Sequence, residues 1–331
     1  MRALVTGANG FLGRHVVQAL LARGVAVRAM VRPRTDITAL AWPATVEIFR
    51  ADLRSARDLE AAFRDVDVLI HLAAVVSGDE DQQFAGTVGG TERLLQAMAD
   101  SGCRHLVLCS SFSVYNYTAT RRRLDEESPI HGVPEVYNRD GYTIAKWWQE
   151  RVARDFAGRH KWDLTVLRPG FIWGRGNAYL SPIELRLGRH YIVIGPRCRL
   201  PLTHVENCAD VFALAATDER SRNQTFNIVD DPGRRIWRYL SDYMRGSGDK
   251  GWRLPIPFHA ARAVVALAYK TVFRRAKKVP GLLIPNRFDS RLKPLYFENR
   301  KLRTTLGWTP PYSYKQCVAR TYGKSQPPAP V

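Results

Sequence analysis

Apolar and amphipathic segments alternate along the first half of this chain. Short apolar runs rich in β-branched residues predict strands at residues 3–6, 25–31, 46–50, 68–72, 105–109 and 164–168. Longer segments with apolar positions at helical spacing predict helices near residues 11–23, 56–63, 82–100 and 141–158. Strands and helices that alternate in this way indicate an α/β fold whose parallel sheet is covered by helices on both faces.

The regular alternation loosens after about residue 170. A further strand at residues 225–229 is expected to return the chain to the sheet. We therefore predict a Rossmann-type, doubly wound parallel sheet of about seven strands, with a smaller carboxyl-terminal substrate lobe. The sheet domain is predicted to comprise residues 1–171 and 205–231, and the lobe residues 172–204 and 232–322. The proline-rich residues 323–331 are expected to be disordered.

The first predicted strand leads directly into a glycine-rich turn, which is followed by an amphipathic helix. Gly7, Gly10 and Gly13 are spaced so that the backbone turns tightly, approaches a ligand and packs the helix against the strand. The N–H groups and the positive dipole end of that helix then face a pyrophosphate. Three glycines are a weak motif alone, but this context is the one that a dinucleotide site requires.

A phenol and an ammonium group lie four residues apart in Tyr142-Thr-Ile-Ala-Lys146, and therefore on one face of a predicted helix. A neighbouring cation favours the phenolate, so Lys146 is expected to lower the pKa of Tyr142 toward the working pH. Such a tyrosine exchanges a proton with a carbinol or a carbonyl. The hydroxyls of Ser110 and Ser111 end the strand at residues 105–109, at the sheet edge where ligands bind.

The chain has 331 residues and a formal net charge of +19, from 50 basic and 31 acidic side chains. This excess attracts anions such as phosphates, nucleotide cofactors and acidic lipid surfaces. No zinc-finger, helix-turn-helix or RNA-binding motif accompanies the charge, so we expect no nucleic-acid partner. The five cysteines lie far apart without ligand spacing, which predicts reduced thiols and no metal site.

Residues 257–273 form an apolar helical segment, and a basic cluster at residues 274–278 follows it. An apolar helix trailed by cations is typical of a peripheral contact with an anionic membrane surface. The favoured interpretation is nevertheless a lid helix that packs on the substrate lobe. Because no run of about 18 apolar residues occurs and Met1 leads directly into the first strand, we expect a cytoplasmic protein without a spanning helix.

Together these segments resemble the extended short-chain dehydrogenase/reductase superfamily, the NAD-dependent epimerase/dehydratase group. The resemblance runs from Met1 to about Val318. It rests on Thr6-Gly-Ala-Asn-Gly-Phe-Leu-Gly13, Asp52-Leu53, His71-Leu-Ala-Ala74, Ser110-Ser111, Tyr142-x-x-x-Lys146, Leu167-Arg-Pro-Gly170, His204-Val-Glu-Asn-Cys-Ala-Asp210 and Leu306-Gly-Trp308.

The resemblance implies a role for each matched residue. Tyr142 is similar to the general acid/base, Lys146 to the residue that holds the nicotinamide ribose, and Ser111, rather than Ser110, to the catalytic hydroxyl. A homodimer formed through paired helices is also implied. The implied cofactor contacts, besides Tyr142 and Lys146, are Gly7, Asn9, Gly10, Phe11, Leu12, Gly13, Arg32, Asp52, Leu53, Leu72, Ala73, Ala74, Ser110, Pro169, Gly170 and Ile172.

Three departures from the family pattern change what is expected. Relatives that use NAD carry an acid at the end of the second strand, where this chain has Val31, followed by Arg32 and Arg34. These arginines suit the extra phosphate of NADP, with Arg14 assisting, whereas Asp36 leaves NAD open. Thr87 stands where the family has asparagine, and its shorter reach puts the local polar network in doubt. Leu200 replaces an arginine that binds the diphosphate of nucleotide sugars, which favours a hydrophobic substrate resembling a sterol or a flavanol.

The leading hypothesis is therefore an NAD(P)-dependent oxidoreductase that interconverts a secondary alcohol and a ketone of a small-molecule substrate. One alternative is a nucleotide-sugar epimerase or dehydratase, in which the ketone is transient and the cofactor is regenerated. A second alternative is a non-catalytic scaffold that binds the cofactor.

Overall fold

A computed structural model of the chain describes residues 1–55, 59–178, 185–230, 233–272 and 279–323. Its strands are β1 Arg2–Thr6, β2 Ala26–Val31, β3 Glu47–Arg50, β4 Val68–His71, β5 His105–Cys109, β6 Arg123–Leu124, β7 Asp163–Pro169, β8 Phe171–Trp173, β9 Leu185–Leu187, β10 His190–Ile194, β11 Leu202–His204, β12 Thr225–Ile228, β13 Trp252–Ile256 and β14 Tyr296–Phe297. Its α-helices are α1 Phe11–Ala22, α2 Glu80–Phe84, α3 Gly90–Ala99, α4 Gly141–His160, α5 Val205–Thr217, α6 Ile236–Ser247, α7 Phe258–Thr271, α8 Pro285–Leu292, α9 Arg300–Leu306 and α10 Tyr314–Tyr322.

Seven strands form one sheet in the order β12-β7-β5-β4-β1-β2-β3, and every neighbouring pair runs parallel. The chain builds the sheet outward from β1 on one side and then from β4 on the other. Because the strand order reverses between β1 and β4, the helices that follow these strands leave a crevice at their carboxyl ends. The predicted doubly wound fold of about seven strands is confirmed.

The central strand is buried on both faces, as a parallel sheet between two helical layers requires. Ala3 and Val5 face the layer that contains α1 and α5, while Leu4 faces the layer that contains α3 and α4. All three side chains are fully buried. Alternation along β1 therefore fixes which helices cover each face of the sheet.

A third hydrophobic core lies in the carboxyl-terminal part of the chain, away from the two layers that cover the sheet. Its largest buried side chains include Trp173, Tyr191, Tyr239 and Phe288. The small sheet β13-β10-β9 forms part of this lobe. The smaller carboxyl-terminal lobe of the predicted fold is thus present, whereas its predicted boundaries stay a prediction.

Two predicted helices differ from the observed elements. The helix predicted at residues 56–63 is a short 3₁₀ turn at Glu60–Phe63, and residues 56–58 lie outside the described part. The Arg28 guanidinium donates hydrogen bonds to the carbonyl oxygens of Ala62 and Arg64, acceptors that a longer helix would use itself. Those carbonyls are acceptors for a side chain that is distant in sequence, so the local pattern did not indicate this turn.

The helix predicted at residues 82–100 begins earlier and is interrupted. Asp79 caps it, because its carboxylate accepts the Gln82 N–H at 2.7 Å. A π-helical turn at Ala85–Gly89 separates α2 from α3. A Cβ atom at Gly86 would lie 2.5 Å from Cγ2 of Val75, so the turn packs closely on the loop that follows β4. Such π turns occur often at functional sites.

The apolar segment predicted at residues 257–273 is helical as α7. The basic cluster at residues 274–278 and nearly all of the proline-rich tail, residues 324–331, lie outside the described residues. Of the helices that the structure describes, none is long and apolar enough to cross a membrane. All five cysteines are buried free thiols.

Candidate active site at the carboxyl edge of the sheet

The glycine turn between β1 and α1 forms a close-fitting cradle. Gly7 has a φ of +68°, a conformation that favours glycine. A Cβ atom at Gly13 would lie 2.1 Å from the carbonyl oxygen of Gly7, so α1 packs directly on the turn. In the described part of the chain no side chain caps α1 at Gly10. The first N–H groups of α1 are thus available to an anion, which fits the predicted pyrophosphate.

The other residues predicted around this cradle lie beside it. Asn9 is within the turn, and Phe11 and Leu12 open α1. A Cβ atom at Gly7 would lie 3.0 Å from the backbone nitrogen of Ala73, so the turn and the loop after β4 nearly touch. The fold therefore brings the glycine turn, which is predicted to bind the pyrophosphate, and the loop after β4, which is also predicted to contact the cofactor, into one crevice.

Charged side chains gather at the carboxyl ends of β2 and β3. The Asp52 carboxylate pairs with Arg54 at 2.6 Å, and hydrogen bonds from Arg54 hold the pKa of Asp52 below its usual range. Arg32 is exposed and close enough to Asp52 to lower that pKa further. Arg34 is exposed beside it. This end of the crevice is cationic on balance.

The backbone around these charges is fixed by two contacts. Arg50 donates hydrogen bonds to the carbonyls of Pro33 and Thr35 at 2.9 and 3.0 Å, which holds the loop after β2. Leu53 packs under α3, where a Cβ atom at Gly90 would lie 3.2 Å from its own Cβ. The predicted cofactor contacts Asp52 and Leu53 therefore lie on an edge whose backbone is held by packing and hydrogen bonds.

His71 is the centre of a buried polar network at the end of β4. Its ring nitrogens lie 2.7 Å from Oγ1 of Thr6 and 2.8 Å from Oγ1 of Thr91. Burial, together with the charge of Lys146, lowers the pKa of His71 to about 3, so the ring is neutral at physiological pH. Leu72, Ala73 and Ala74 follow directly and are partly exposed to the crevice.

Thr87 keeps a structural contact despite its short side chain. Its hydroxyl oxygen accepts the backbone N–H of Val75 at 2.9 Å. The π turn that contains Thr87 brings that side chain to the loop after β4. The polar network that the sequence put in doubt is therefore present, with threonine in the place of asparagine.

The two adjacent serines at the end of β5 point to different surroundings. Ser110 is buried and donates a hydrogen bond to the carboxylate of Glu150 at 2.6 Å. That carboxylate forms a buried ion pair with Arg168, which holds the pKa of Glu150 at about 2 against the effect of burial. Ser111 is partly exposed, caps the short turn Phe112–Val114 and lies close enough to Tyr142 to lower the pKa of the phenol. Ser111 is thus the hydroxyl beside the phenol.

Tyr142 is the second residue of α4, whose first turn is capped by Asp140. Burial raises the pKa of the phenol, the nearby thiol of Cys109 raises it further, and the neighbouring Ser111 hydroxyl opposes the shift. The phenol therefore keeps its proton at neutral pH. The pKa lowering that we expected from Lys146 was wrong for the protein alone, because burial outweighs the other influences on this group.

Lys146 is buried one helical turn after Tyr142. Its ammonium donates to the carbonyl of Cys109 at 2.7 Å and to Oε1 of Gln149 at 2.9 Å. Burial lowers the pKa of Lys146. Contacts with the described residues occupy two of its three N–H groups, and the third remains for a ligand.

The chain leaves the sheet toward the lobe through Pro169 and Gly170. A Cβ atom at Gly170 would lie 2.0 Å from the carbonyl oxygen of Pro201, so only glycine fits there. Ile172 lies next on β8, which pairs in parallel with β11. These three predicted cofactor contacts lie on the path that joins the sheet to the lobe.

Sequence reasoning missed residues that support the site from behind. Gln149, Thr91 and the Glu150–Arg168 pair are all buried and hydrogen-bonded to site residues. Nothing in the pattern marks Gln149 except its place three residues after Lys146. His71 begins one of the motifs that carry the family resemblance, but the sequence did not indicate a role for its side chain.

Comparison with known proteins gives consistent similarities. A model of the NAD dependent epimerase/dehydratase family matches residues 3–228. The chain is 30% identical over 272 residues to a 4-hydroxy-2-methyl-3-oxo-4-farnesyl-3,4-dihydroquinoline-1-oxide ketoreductase of Stigmatella aurantiaca, covering 81% of this chain and 79% of that one. It is 31% identical over 269 residues to the human sterol-4-alpha-carboxylate 3-dehydrogenase, decarboxylating, covering 78% of this chain and 69% of that one.

Solved structures share the architecture. A UDP-glucose 4-epimerase of Thermus thermophilus in complex with NAD superposes with a TM-score of 0.70 at 22% identity, and the match covers 97% of this chain and 98% of that one. At this level of identity the likeness shows the fold.

Proposed function

Because this chain belongs to the NAD-dependent epimerase/dehydratase family of extended short-chain dehydrogenases/reductases, we propose that it interconverts a secondary alcohol and a ketone. Enzymes of this kind are NAD-dependent oxidoreductases, epimerases or dehydratases. We assign the general acid/base role to Tyr142, the positioning of the substrate oxygen to Ser111 and the binding of the cofactor ribose to Lys146. The proximity of the Ser111 hydroxyl to the Tyr142 phenol, one helical turn before the buried Lys146 at the carboxyl edge of the sheet, carries this proposal.

The chemistry of the pair follows from its protonation. A buried phenol that keeps its proton is an acid that can donate it to a carbonyl oxygen, and in the reverse direction the same oxygen accepts it. The Ser111 hydroxyl supplies a second hydrogen bond to the substrate oxygen, which fixes it against the phenol. A bound nicotinamide supplies or accepts the hydride. The glycine cradle and the third N–H of Lys146 are the groups of this chain that suit such a cofactor.

We propose a hydrophobic substrate of the sterol or flavanol kind. Leu200, which replaces a diphosphate-binding arginine in the family pattern, is buried in the apolar core of the lobe. Two relatives similar to this chain are named for lipophilic substrates, because one name contains a farnesyl group and the other contains a sterol. The alternative, a nucleotide-sugar epimerase or dehydratase, would need a different group to bind the diphosphate.

We propose that NADP is the preferred cofactor and that NAD is used less well. Arg32 and Arg34 are both exposed at the carboxyl end of β2, and Arg32 also faces Asp52. Guanidinium groups pair with the extra phosphate of NADP, whereas an acid at this position would repel it.

We propose a homodimer, as the family resemblance implies, that contacts an anionic membrane surface from the cytoplasmic side. The support for the membrane contact is the outer face of α7 and the strand before it. Val264 and Leu267 expose 66% and 65% of their surface, and Trp252 exposes 74%. Exposed apolar side chains on a chain of net charge +19 suit an anionic bilayer, which is also where a lipophilic substrate accumulates.

The activity test uses the purified chain, NADPH and a panel of lipophilic ketones, with UDP-sugars as a second panel. We expect loss of NADPH matched one to one by the alcohol product. Replacement of Ser111 by alanine should lower kcat by about 10²-fold, whereas the matched variant Ser113→Ala in the same turn should retain it. Interconversion of a UDP-sugar without net NADPH consumption would favour the epimerase, and cofactor binding without any turnover would favour the scaffold.

A further inference from the structure

We propose that Gln149 is a positioning residue that ties the ammonium of Lys146 to the loop after β4. This inference rests on the proposed function, because it concerns how two predicted cofactor contacts are held. Gln149 lies on α4 and is fully buried. Its side-chain amide reaches Lys146 on one side and the carbonyl of Ala73 on the other.

The orientation of the amide is determined by the chemistry of its neighbours. The Lys146 ammonium can only donate hydrogen bonds, so the amide oxygen must face it, at 2.9 Å. The amide nitrogen then faces Oγ1 of Thr91 at 2.9 Å and the carbonyl oxygen of Ala73 at 3.3 Å. Both N–H groups of the amide thereby have acceptors, and the reverse orientation would have set two donors against each other.

The His71 ring belongs to the same network. Its Nδ1 lies 2.7 Å from Oγ1 of Thr6, and its Nε2 lies 2.8 Å from Oγ1 of Thr91 and 3.1 Å from the amide nitrogen of Gln149. The Thr91 hydroxyl donates to the carbonyl of Thr87 at 2.6 Å, so its oxygen accepts the Gln149 amide. Gln149 therefore also packs against the buried polar end of β4.

The network has a direct consequence for Lys146. Two acceptors from different elements, the Cys109 carbonyl on β5 and the Gln149 amide on α4, hold the ammonium in one place. Without the amide oxygen, the ammonium keeps a single protein acceptor and Ala73 loses its hydrogen-bond donor. The third N–H of Lys146 and the loop at Ala73 would then both lose their fixed direction toward the crevice.

The titratable groups that face Lys146 set the background for a pH measurement. They are the Cys109 thiol on β5, the His71 ring on β4 and the Glu150 carboxylate on α4. Hydrogen bonds to the charged form of a group favour that form. Removal of the Gln149 oxygen should therefore make Lys146 lose its proton more readily, whereas a carboxylate at the same position should have the opposite effect.

The first experiment measures binding of NADPH to the full chain by nucleotide fluorescence, without turnover. We expect Gln149→Leu to raise Kd about tenfold, the scale of one hydrogen bond to a charged group. Amide hydrogen exchange at residues 72–75 should become faster in the same variant. The matched control, Gln96→Leu at an exposed position of α3, should change neither quantity.

The second experiment compares the alkaline limb of kcat against pH. We expect this limb to move to lower pH in Gln149→Leu and to higher pH in Gln149→Glu. If Gln149 only filled space, the alkaline limb would shift in the same direction in both variants, or in neither. If Gln149→Glu does not fold, as judged by thermal unfolding, the binding and exchange data for Gln149→Leu and Gln149→Met decide the matter.

The outcomes separate the two proposals. Unchanged NADPH affinity and unchanged exchange at residues 72–75 in a folded Gln149→Leu variant would overturn the positioning role and leave the proposed function intact. Failure of the unmodified chain to bind either nicotinamide nucleotide would overturn the proposed function itself.

Discussion

At the scale of single residues, the crevice divides its charge between two ends. Burial makes His71 neutral and keeps the proton on Tyr142, so the catalytic end has few free charges besides Lys146. The opposite end carries exposed arginines around the paired Asp52. This division supports the proposal that the ends of β2 and β3 bind the extra phosphate of NADP and that the start of α4 transfers the proton.

The arginines after β2 should decide the choice of cofactor. We expect Arg32→Ser to raise Kd for NADPH at least tenfold, since a charge-assisted bond to phosphate contributes about 1.5–3 kcal/mol. Kd for NADH should change by less than about threefold. Titration of both nucleotides checks this, with Arg245→Ser, an exposed arginine on α6, as the control for net charge. An equal loss for both nucleotides would contradict a phosphate contact.

At the scale of elements, the sequence predicts whatever depends on local periodicity. The strands of the sheet and α1, α4 and α7 follow from runs of apolar positions. The 3₁₀ turn at Glu60–Phe63 and the π turn at Ala85–Gly89 do not, because they depend on the side chains of Arg28 and Val75 from other parts of the fold. Local patterns carry no information about such partners.

The exposed face of α7 should determine binding to anionic membranes. We expect the unmodified chain to bind phosphatidylserine vesicles at low salt and Leu267→Glu to bind at least several-fold less. Burial of one leucine contributes about 1.5–3 kcal/mol, and the new carboxylate is repelled by the lipid. Vesicle sedimentation measures the bound fraction, with Gln96→Glu on α3 as the matched control. An unmodified chain that ignores anionic vesicles would refute the membrane contact.

At the scale of the whole molecule, the carboxyl-terminal segments return to the sheet domain through long-range contacts. Lys293 donates to the carbonyls of Tyr117 and Thr120, both at 2.7 Å, and Asn299 donates to Val229 at 2.8 Å. Residues so distant in sequence share no pattern, which is why these contacts could not be predicted. The same limit applies to the candidate site. Roles for Tyr142 and Lys146 could be predicted from the sequence, but nothing in it indicated that Gln149 links Lys146 to the loop after β4.

Buried histidines should make the folded state sensitive to acid. Burial lowers the pKa of His71 to about 3 and those of His105, His131 and His204 to about 4. In the unfolded chain a histidine titrates near pH 6.5, so the unfolded state binds more protons between about pH 4 and 6.5. Stability is then fully present above about pH 6.5 and falls as the pH is lowered, by about 1.4 kcal/mol per pH unit for each histidine.

Two carboxylates work in the opposite direction. Burial raises the pKa of Asp230 to about 6 and also raises the pKa of Glu126. The stability that each contributes is lost as the pH rises through its raised pKa, so together they offset part of the effect of the histidines. Calorimetry should nevertheless show Tm decreasing from pH 7 to pH 5. His105→Asn should reduce the slope, and the exposed His190→Asn should leave it unchanged. A Tm that is constant over this range would disprove the account of the buried histidines.

The most direct test of the central claim is the turnover of Tyr142→Phe with NADPH and a lipophilic ketone, measured beside NADPH affinity. Removal of the hydroxyl takes away the proton donor but leaves the ring, so kcat should fall by about 10³-fold or more. Kd for NADPH should stay within about threefold of the unmodified chain. Undiminished turnover in this variant would show that the proton comes from another group and would contradict the proposed mechanism.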